Sequence, residues 1–410
     1  MTTDVQAATP APAFDVSEPP EGLGTLIWEN IKGGNLGSLP VIIGLTIVVT
    51  VFAFWAPNFF TPVNLNNIIV QMLGITMLGF GVVFVLLLGE IDLSIAYLSG
   101  FIGVIAAELQ KPTGWNLQGI FPIVLALLLA AGIGAFQGSF VAIIGVPSFV
   151  VTLAGLLVWQ GAIQITLGAG GPIIIENRWI NYTSSYFFSD KWGWGIAIVV
   201  SLLYLTSVGV SAWQKKRHGV AIRYPYLEIF KAIAVPFGAF LLVYICNKDR
   251  GLPLAGVEII GFMLFWTYVA KRTTFGRHVY AVGGNDEAAR RAGISVARIR
   301  VIVFAISGLM AGVGGICLAA NVRSVQPDQG GGTLLLDAIS AAVIGGMSLF
   351  GGRGEVRSAV LGAALITTIE NGLFIKGFQP GVIYITTGCF LLFAVTLDTL
   401  ARRRQAKTGR

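Results

Sequence analysis

Charged residues are scarce in this chain: Asp, Glu, Lys and Arg together make up 11% of its 410 residues, whereas about 25% is usual in soluble domains. Hydrophobic residues make up 55%, and a chain of this composition cannot cover its own surface in water. They form many runs of roughly 18 residues or more, each long enough to cross the ~30 Å hydrocarbon core of a bilayer. The composition excludes a soluble globular protein and predicts an all-α bundle of helices in the lipid bilayer.

The groups that carry most enzyme chemistry are also few. There are two histidines, His218 and His278, and they are not spaced as a zinc-binding pair on a helix. No Gly-Lys dipeptide occurs, so the chain has no phosphate-binding loop of the Walker type. The three cysteines, Cys246, Cys317 and Cys389, fall in or beside apolar runs and are predicted to be packed thiols. We therefore expect no catalytic residue, metal site or cofactor, and a membrane enzyme is the least favoured class.

Twelve apolar runs are candidates for membrane-spanning segments. The run from Leu336 is short enough to be a half-helix or re-entrant segment. The run from Tyr226 carries Glu228 and Lys231, which are three residues apart and are predicted to pair on one helix face. We therefore expect ten to twelve spans. The runs are Leu39–Ala56, Asn67–Gly89, Leu93–Leu109, Gly119–Val146, Ser148–Leu167, Gly193–Trp213, Tyr226–Cys246, Leu252–Ala270, Val301–Ala320, Leu336–Leu349, Ala359–Ile375 and Gly381–Leu397.

The basic residues of the loops predict the orientation. With the N-terminus inside, 19 Lys and Arg residues fall in inner loops and tails and seven fall outside. This bias predicts a multi-pass inner-membrane protein with both termini cytoplasmic. It also explains the net charge of +7 without nucleic acid as a partner. We expect the chain to divide into a largely disordered tail over residues 1–38, with no signal peptide, a membrane domain over 39–398 and a basic tail over 399–410.

Five amide side chains lie inside apolar runs. Moving an unpaired amide from water into hydrocarbon costs roughly 4–8 kcal/mol, so each must bond to another helix or face a hydrated path. Both roles remain open. A neutral polar solute would need amides and hydroxyls along its route, and these residues are therefore candidates for a substrate path. They are Gln71, Gln137, Gln160, Gln164 and Asn371.

Acidic residues at membrane depth form a second candidate set, because charges there are costly and face protein or water. Glu90 and Asp92 precede the run from Leu93, and Asp337 begins another short run. Asp92 can cap its helix by accepting from free backbone N–H groups, and Ser94 can share that role. For Asp92 we favour this structural role over contact with substrate.

A short charged helix is predicted inside the loop over residues 271–300. Asn285 is a favourable N-cap, acidic residues follow it, arginines lie near the other end, and Gly293 suits the left-handed exit. A helix this short is marginal in water, so it must dock on its own bundle or in a cleft of a separate cytoplasmic subunit. Its residues are Gly283, Gly284, Asn285, Asp286, Glu287, Ala288, Ala289, Arg290, Arg291, Ala292 and Gly293.

The longest outer loop spans about Gly168–Trp192 and contains several aromatic residues. Such residues are typical of interfacial anchoring, but they also suit a docking surface for an external partner. Both interpretations remain open. The aromatic residues are Trp179, Tyr182, Tyr186, Phe187 and Phe188.

Several segments, taken in order, resemble a known family. They are Phe60–Leu65, Gly89–Ser94, Thr274–Arg277 with Gly283–Gly293, Ser307–Gly312, Leu336–Ile339 and Val343–Gly354. Over about residues 40–398 the chain is similar to permease subunits of bacterial monosaccharide ABC transporters of the ribose, xylose and galactose type. An additional hairpin over residues 213–260 is most like the longer xylose-type permeases. Ala96-Tyr97 and Gln137-Gly138 depart from the pattern common in the family.

This resemblance implies a fold like that of type II ABC importers. It also implies a homodimer with a second permease copy, a separate ABC ATPase subunit and an extracytoplasmic sugar-binding protein. The expected function is import of a monosaccharide, such as the pentose xylose, with residues 283–293 coupling the permease to the ATPase. Two alternatives remain open: a related ABC permease for branched-chain amino acids or nucleosides, and an ATP-independent secondary transporter.

Overall fold

The computed structural model describes residues 39–219 and 225–407, and fifteen α-helices form the bundle in those ranges. The predicted tail over residues 1–38 lies outside the described residues. The helices are α1 (Leu39–Trp55), α2 (Pro62–Leu87), α3 (Ile95–Gln110), α4 (Phe121–Ser139), α5 (Ser148–Leu167), α6 (Arg178–Ser185), α7 (Asp190–Arg217), α8 (Pro225–Cys246), α9 (Leu254–Arg272), α10 (Thr274–Gly284), α11 (Asp286–Arg291), α12 (Val296–Val322), α13 (Leu334–Ile344), α14 (Arg357–Ile375) and α15 (Pro380–Lys407).

Each of the twelve predicted apolar runs falls on a helix, because long apolar runs can satisfy their backbone in lipid only by internal hydrogen bonds. Among the described residues, eight helices are long and apolar enough to cross a membrane. Four more, α1, α3, α13 and α15, have shorter apolar stretches. The run from Leu336 is indeed short, since α13 has only 11 residues. The predicted all-α polytopic class is confirmed.

Helix α12 is the central element, and it packs against α2, α3, α4 and α6. Small residues allow the closest approach. A Cβ atom at Gly134 would lie 2.2 Å from Phe304 O, and one at Gly308 would lie 2.3 Å from Ala130 O. Side chains at these positions would therefore separate α4 from α12, which agrees with the role of small residues in membrane helix packing.

The hairpin of α7 and α8 lies at the periphery, and most of its apolar side chains are exposed. Glu228 forms an ion pair of 2.6 Å with Lys215, so the predicted pairing with Lys231 is wrong. The first turn of α8 faces the basic last turn of α7. Glu228 therefore pairs with a residue of the other helix instead of with Lys231, three residues along its own helix. Cys246 and Cys317 are buried as predicted, whereas Cys389 is exposed.

Two short antiparallel strand pairs close one end of the bundle, which we call the β end. Strand β1 (Ile173–Ile174) pairs with β4 (Ser324–Val325), with Ile173 opposite Val325. Strand β2 (Phe187–Phe188) pairs with β3 (Leu252–Pro253), with Phe187 opposite Pro253. The segment predicted as a plain loop from Gly168 to Trp192 thus contains α6 and two strands. Helix α11 lies at the other end, the α11 end.

Candidate translocation site

Two non-helical stretches interrupt the bundle, residues 88–94 before α3 and residues 326–333 before α13. The second stretch lies beside the first turns of α3, since a Cβ atom at Gly330 would be 2.3 Å from Ala96 O. The first stretch contacts α12 near the middle of that 27-residue helix, through Ser307. Helix α3 has 16 residues and is about 24 Å long, which is short of a full crossing. Irregular backbone therefore lies inside the bundle, where it is tolerated only if neighbouring groups satisfy it.

Asp92 anchors the first stretch through a closed hydrogen-bond network. Its Oδ1 accepts from Ser94 N at 3.0 Å and from Ser94 Oγ at 2.7 Å. Its Oδ2 accepts from Ser307 Oγ at 2.7 Å, and Gln137 Nε2 donates to Ser94 Oγ at 3.2 Å. Asp92 does accept a backbone N–H as predicted, but this N–H belongs to Ser94, the N-cap residue that precedes the first helical residue of α3. Ser94 instead donates its hydroxyl to Asp92, and its side chain makes no backbone cap.

Helix α5 satisfies the backbone beside Asp92. Ile91 N donates to Ser148 Oγ at 3.3 Å, and Thr152 Oγ1 lies 3.2 Å from Ile91 O. These hydroxyls compensate for the missing helical bonds of the stretch. The sequence prediction missed both of them, as it missed Ser307, because single hydroxyls in apolar runs give no signal without their partners.

A small apolar cavity of about 220 Å³ lies between the first stretch, the end of α2 and α13. Ligand pockets for small molecules usually measure about 300–1,000 Å³, so this cavity is smaller than a usual ligand pocket. Its lining residues are Val82, Val85, Leu86, Ile91, Asp92, Leu93, Ile339 and Leu349.

An arginine connects the first stretch to α11. Arg300 Nε lies 3.0 Å from Glu90 Oε1, although the angle does not make a hydrogen bond, and Arg300 Nη2 lies 3.6 Å from Asp286 Oδ2. Glu90 and Arg300 are only partly exposed. Arg300 therefore lies between Glu90, two residues from Asp92, and the first residue of α11.

The end of α10 makes a second connection, through backbone atoms. A Cβ atom at Gly283 would lie 1.7 Å from Leu87 O, so no other residue fits here without movement. Gly352 N donates to the same Leu87 oxygen at 2.9 Å. Gly351 has φ +82°, a conformation that favours glycine. Three chain segments thus meet without side chains between them.

The predicted helix over Gly283–Gly293 is partly correct. Asn285 is the N-cap, since its Oδ1 accepts from Ala288 N at 2.9 Å, and Gly293 has φ +83°. The boundary was wrong: Gly283 and Gly284 end α10, and α11 contains only Asp286–Arg291. Ala289 is buried, whereas the other α11 side chains are exposed, so α11 rests on the bundle by one residue and presents a polar face.

Tyr280 on α10 makes another contact at the α11 end of the bundle. Its hydroxyl donates to Gly354 O at 2.8 Å. Burial raises the pKa of Tyr280, and the nearby Glu355 carboxylate adds to the effect. The hydroxyl therefore stays protonated at neutral pH and remains a donor.

The five predicted amides do not converge on one place. Gln137 joins the Asp92 network. Asn371 Nδ2 donates to Gln71 Oε1 at 3.3 Å, linking α14 to α2. On α5, Gln160 is half-buried and Gln164 is exposed. Asp337, predicted beside Asp92 as a structural acid, is buried on α13.

Comparison with known proteins identifies the family. The family described as "Branched-chain amino acid transport system / permease component" matches residues 64–395. The xylose transport system permease protein of Escherichia coli K12 is 34% identical over 389 residues, covering 92% of this chain and 95% of the relative. The ribose import permease protein of the same strain is 29% identical, covering 87% and 92%. The L-arabinose ABC transporter permease protein of Azospirillum brasilense is 27% identical, covering 99% and 98%. No solved structure matches.

The fold and the interrupted helices define a polytopic membrane permease. More specifically, the chain belongs to this family of ABC transport permease components. The resemblance to monosaccharide ABC permeases of the xylose type is confirmed by these relatives. All of them are transport subunits, so the chain is a transport subunit and not an enzyme.

Proposed function

We propose that the chain is the membrane subunit of an ATP-driven importer for a monosaccharide, a pentose such as xylose. The relatives named above are described as permeases for xylose, ribose and L-arabinose, which are all pentoses. Similarity over nearly the whole chain supports the transfer of this substrate class. The family description also names branched-chain amino acids, and these are the alternative substrate.

The proposed orientation places the α11 end in the cytoplasm and the β end outside the inner membrane. The excess of basic residues in the loops at the α11 end supports it, and both termini are then cytoplasmic. A separate ABC ATPase docks on α11, an extracytoplasmic sugar-binding protein delivers the sugar at the β end, and a second copy of the chain completes a homodimer. The aromatic residues of the segment from Gly168 to Trp192 lie on the delivery side.

The coupling role is supported by the way α11 contacts the rest of the bundle. This helix exposes its charged side chains, buries only Ala289, and is tied to the interrupted stretch through Arg300 and Gly283. Closure of the ATPase pair would move α11 and, through these two connections, the stretch that carries Asp92. The path itself is proposed to use the predicted amides together with neighbouring hydroxyls.

Replacement of α11 tests the coupling. We expect a six-residue Gly/Ser segment in place of Asp286–Arg291 to leave the protein in the membrane but abolish sugar-stimulated ATPase activity and uptake in a reconstituted complex. The replacement excludes Gly283, whose loss would disturb packing. Lys376→Ala, in the loop between α14 and α15, is the control and should transport normally. Normal uptake by the α11 variant would overturn the coupling role.

A substrate panel tests the rest of the proposal. Vesicles holding the permease, its ATPase and its binding protein are assayed with D-xylose, D-ribose, L-arabinose, leucine and adenosine. ATP-dependent uptake of a pentose is the expected result. Uptake of leucine or adenosine alone would favour the alternative substrates, and uptake without the ATPase would favour a secondary transporter.

A further inference from the structure

A second and larger cavity lies at the β end of the bundle. Its volume is about 340 Å³, which falls within the range of about 300–1,000 Å³ that is usual for small-molecule pockets. The end of α3, the loop before α4 and the segment from β1 to the start of α6 surround it. Unlike the apolar cavity beside Asp92, it has a largely polar lining, which includes Gln110, Asn116, Gln118, Glu176, Asn177 and Arg178.

Gln110, the last residue of α3, holds the wall of this cavity together. Its side chain is buried. Its Nε2 donates to Ile174 O at 3.1 Å, and its Oε1 accepts from Glu176 N at 3.1 Å and from Asn177 N at 3.0 Å. On the other side, Asn177 Nδ2 donates to Gly119 O at 3.0 Å. The segments around the cavity are therefore tied to one another, and the cavity is preformed.

The groups left open in the lining include both donors and acceptors. Gln118 Nε2 donates to Asn116 Oδ1 at 2.8 Å, which leaves the Asn116 amide N–H groups and Gln118 Oε1 for a ligand. The side chains of Glu176 and Arg178 are exposed and form no ion pair with any described residue. A carboxylate accepts and a guanidinium donates, and their opposite charges leave the lining without net charge.

Trp179 adds an apolar surface to this polar lining, and 48% of it is exposed. A sugar has hydroxyl groups that both donate and accept, and the C–H groups on the faces of its ring pack on aromatic side chains. A leucine zwitterion has charges for Glu176 and Arg178 but no hydroxyl group for the two amides. The combination of amides, one acid, one base and an indole therefore favours a neutral sugar.

We propose that this cavity is an outer subsite that receives the monosaccharide before it enters the bundle. The inference rests on the proposed function, which has the sugar delivered at the β end, and gives the delivered sugar a first place of contact. Gln110 ends the same helix whose other end follows the stretch that carries Asp92. A sugar in the cavity thus lies at the outer end of α3.

Protection of a cysteine from labelling tests the subsite. Pro112→Cys, which lines the cavity without supplying a polar side chain, is made with Cys246, Cys317 and Cys389 replaced by Ala. The permease is purified without its ATPase or binding protein and treated with 2-(trimethylammonium)ethyl methanethiosulfonate. For a site with a millimolar Kd, roughly 100 mM D-xylose, D-ribose or L-arabinose should slow labelling at least about fivefold.

The control for labelling is Lys191→Cys in the same background. Lys191 is exposed in the first turn of α7, also at the β end, and does not line the cavity. Its labelling rate should be the same with and without sugar. Slowing at both positions would show a general effect of sugar on the reagent and would overturn the subsite.

Removal of one acid links the protection to the lining. Glu176→Ala should raise the sugar concentration that gives half-maximal protection roughly tenfold, as expected for a lost hydrogen bond to a charged group. Asp190→Ala is the matched control, because Asp190 is an exposed acid at the same end that does not line the cavity. It should stay within about twofold. Equal protection in the two variants would exclude Glu176 from sugar binding and contradict the subsite.

The remaining outcomes separate this subsite from other uses of the cavity and from the proposed function. Protection by leucine and not by the pentoses would overturn it in favour of an amino-acid site. Protection only after the binding protein is added would overturn it in favour of a protein contact. No protection, together with normal ATP-dependent pentose uptake, would contradict the subsite alone. A wild-type complex that moves none of the three pentoses would contradict the proposed function and the subsite with it.

Discussion

Asp92 and Asp337 are two acids at membrane depth, and each lies near the start of a short helix that follows an interrupted stretch. Asp92 has both oxygens occupied by three donors from Ser94 and Ser307. Asp337 has one oxygen without a hydrogen-bond partner in the described part of the chain. The sequences around them are alike, an acid followed by small residues. The contrast teaches that the local pattern places an acid inside the membrane, whereas hydroxyls from distant segments decide how completely its oxygens are hydrogen-bonded.

Asp92→Ala should produce the largest effect. It removes the acceptor of three hydrogen bonds, and bonds to a charged group are worth about 1.5–3 kcal/mol each. We expect a loss of roughly 3 kcal/mol or more in stability, measured as the thermal midpoint in detergent. Asp337→Ala is the matched variant and should lower the midpoint much less, because it removes an incompletely bonded carboxylate. Equal decreases of the thermal midpoint in Asp92→Ala and Asp337→Ala would contradict the difference between the two acids.

Gly283→Ala should have the next largest effect, since its Cβ would lie 1.7 Å from Leu87 O. Overpacking of this kind costs about 1–3 kcal/mol, and the stretch that carries Asp92 would have to shift. Gly284→Ala is the control, because no atom lies within 4 Å of its Cβ position. Thermal midpoints and coupled ATPase activity are compared, and similar behaviour of the two variants would show that the backbone contact is unimportant.

Ser307→Ala tests the contribution of a single hydrogen bond to Asp92. It removes the 2.7 Å contact to Asp92 Oδ2 and should cost about 2 kcal/mol. Ser340→Ala removes a hydroxyl that has no hydrogen-bond partner among the described residues, and it should cost clearly less. In a double-mutant cycle, Asp92→Asn and Ser307→Ala should be non-additive. Additive losses would show that the two side chains act independently.

Glu90→Gln should have the smallest effect on stability, below about 1 kcal/mol, as expected for partly exposed ion pairs. Its consequence should instead appear in coupling, because Glu90 is joined to α11 through Arg300. The ratio of sugar transported to ATP hydrolysed is the measurement, with Lys215→Ala on the peripheral hairpin as the control. An unchanged ratio would remove Arg300 from the coupling route.

Much of the fold was predictable because membrane helices are defined by local hydrophobicity. The run Ser148–Leu167 was predicted with the bounds of α5, and the cap at Asn285 and the exit at Gly293 were also correct. These features depend on neighbouring residues alone.

Contacts between distant segments could not be predicted. The bond between Ser307 and Asp92 spans 215 residues, and the two-residue strands at the β end exist only because partners from elsewhere meet them. Glu228 likewise forms its ion pair with Lys215 and not with Lys231. Oxygens that have no hydrogen-bond partner among the described residues, such as Asp337 Oδ1 and Thr367 Oγ1, can be recognised only once the neighbouring helices are placed.

The backbone contact at Gly283 has a mechanical consequence. Side chains can change rotamer and so accommodate a displacement. The Leu87 carbonyl, the Gly283 Cα and the Gly352 amide are in direct backbone contact, with no side chain between them. A shift of about 1 Å at the end of α10 would exceed the tolerance of a hydrogen bond. Such a shift must either break the hydrogen bond between Gly352 N and Leu87 O or displace the residues around Leu87 by a similar distance. The proposed coupling would then transmit the movement of α10 with little loss.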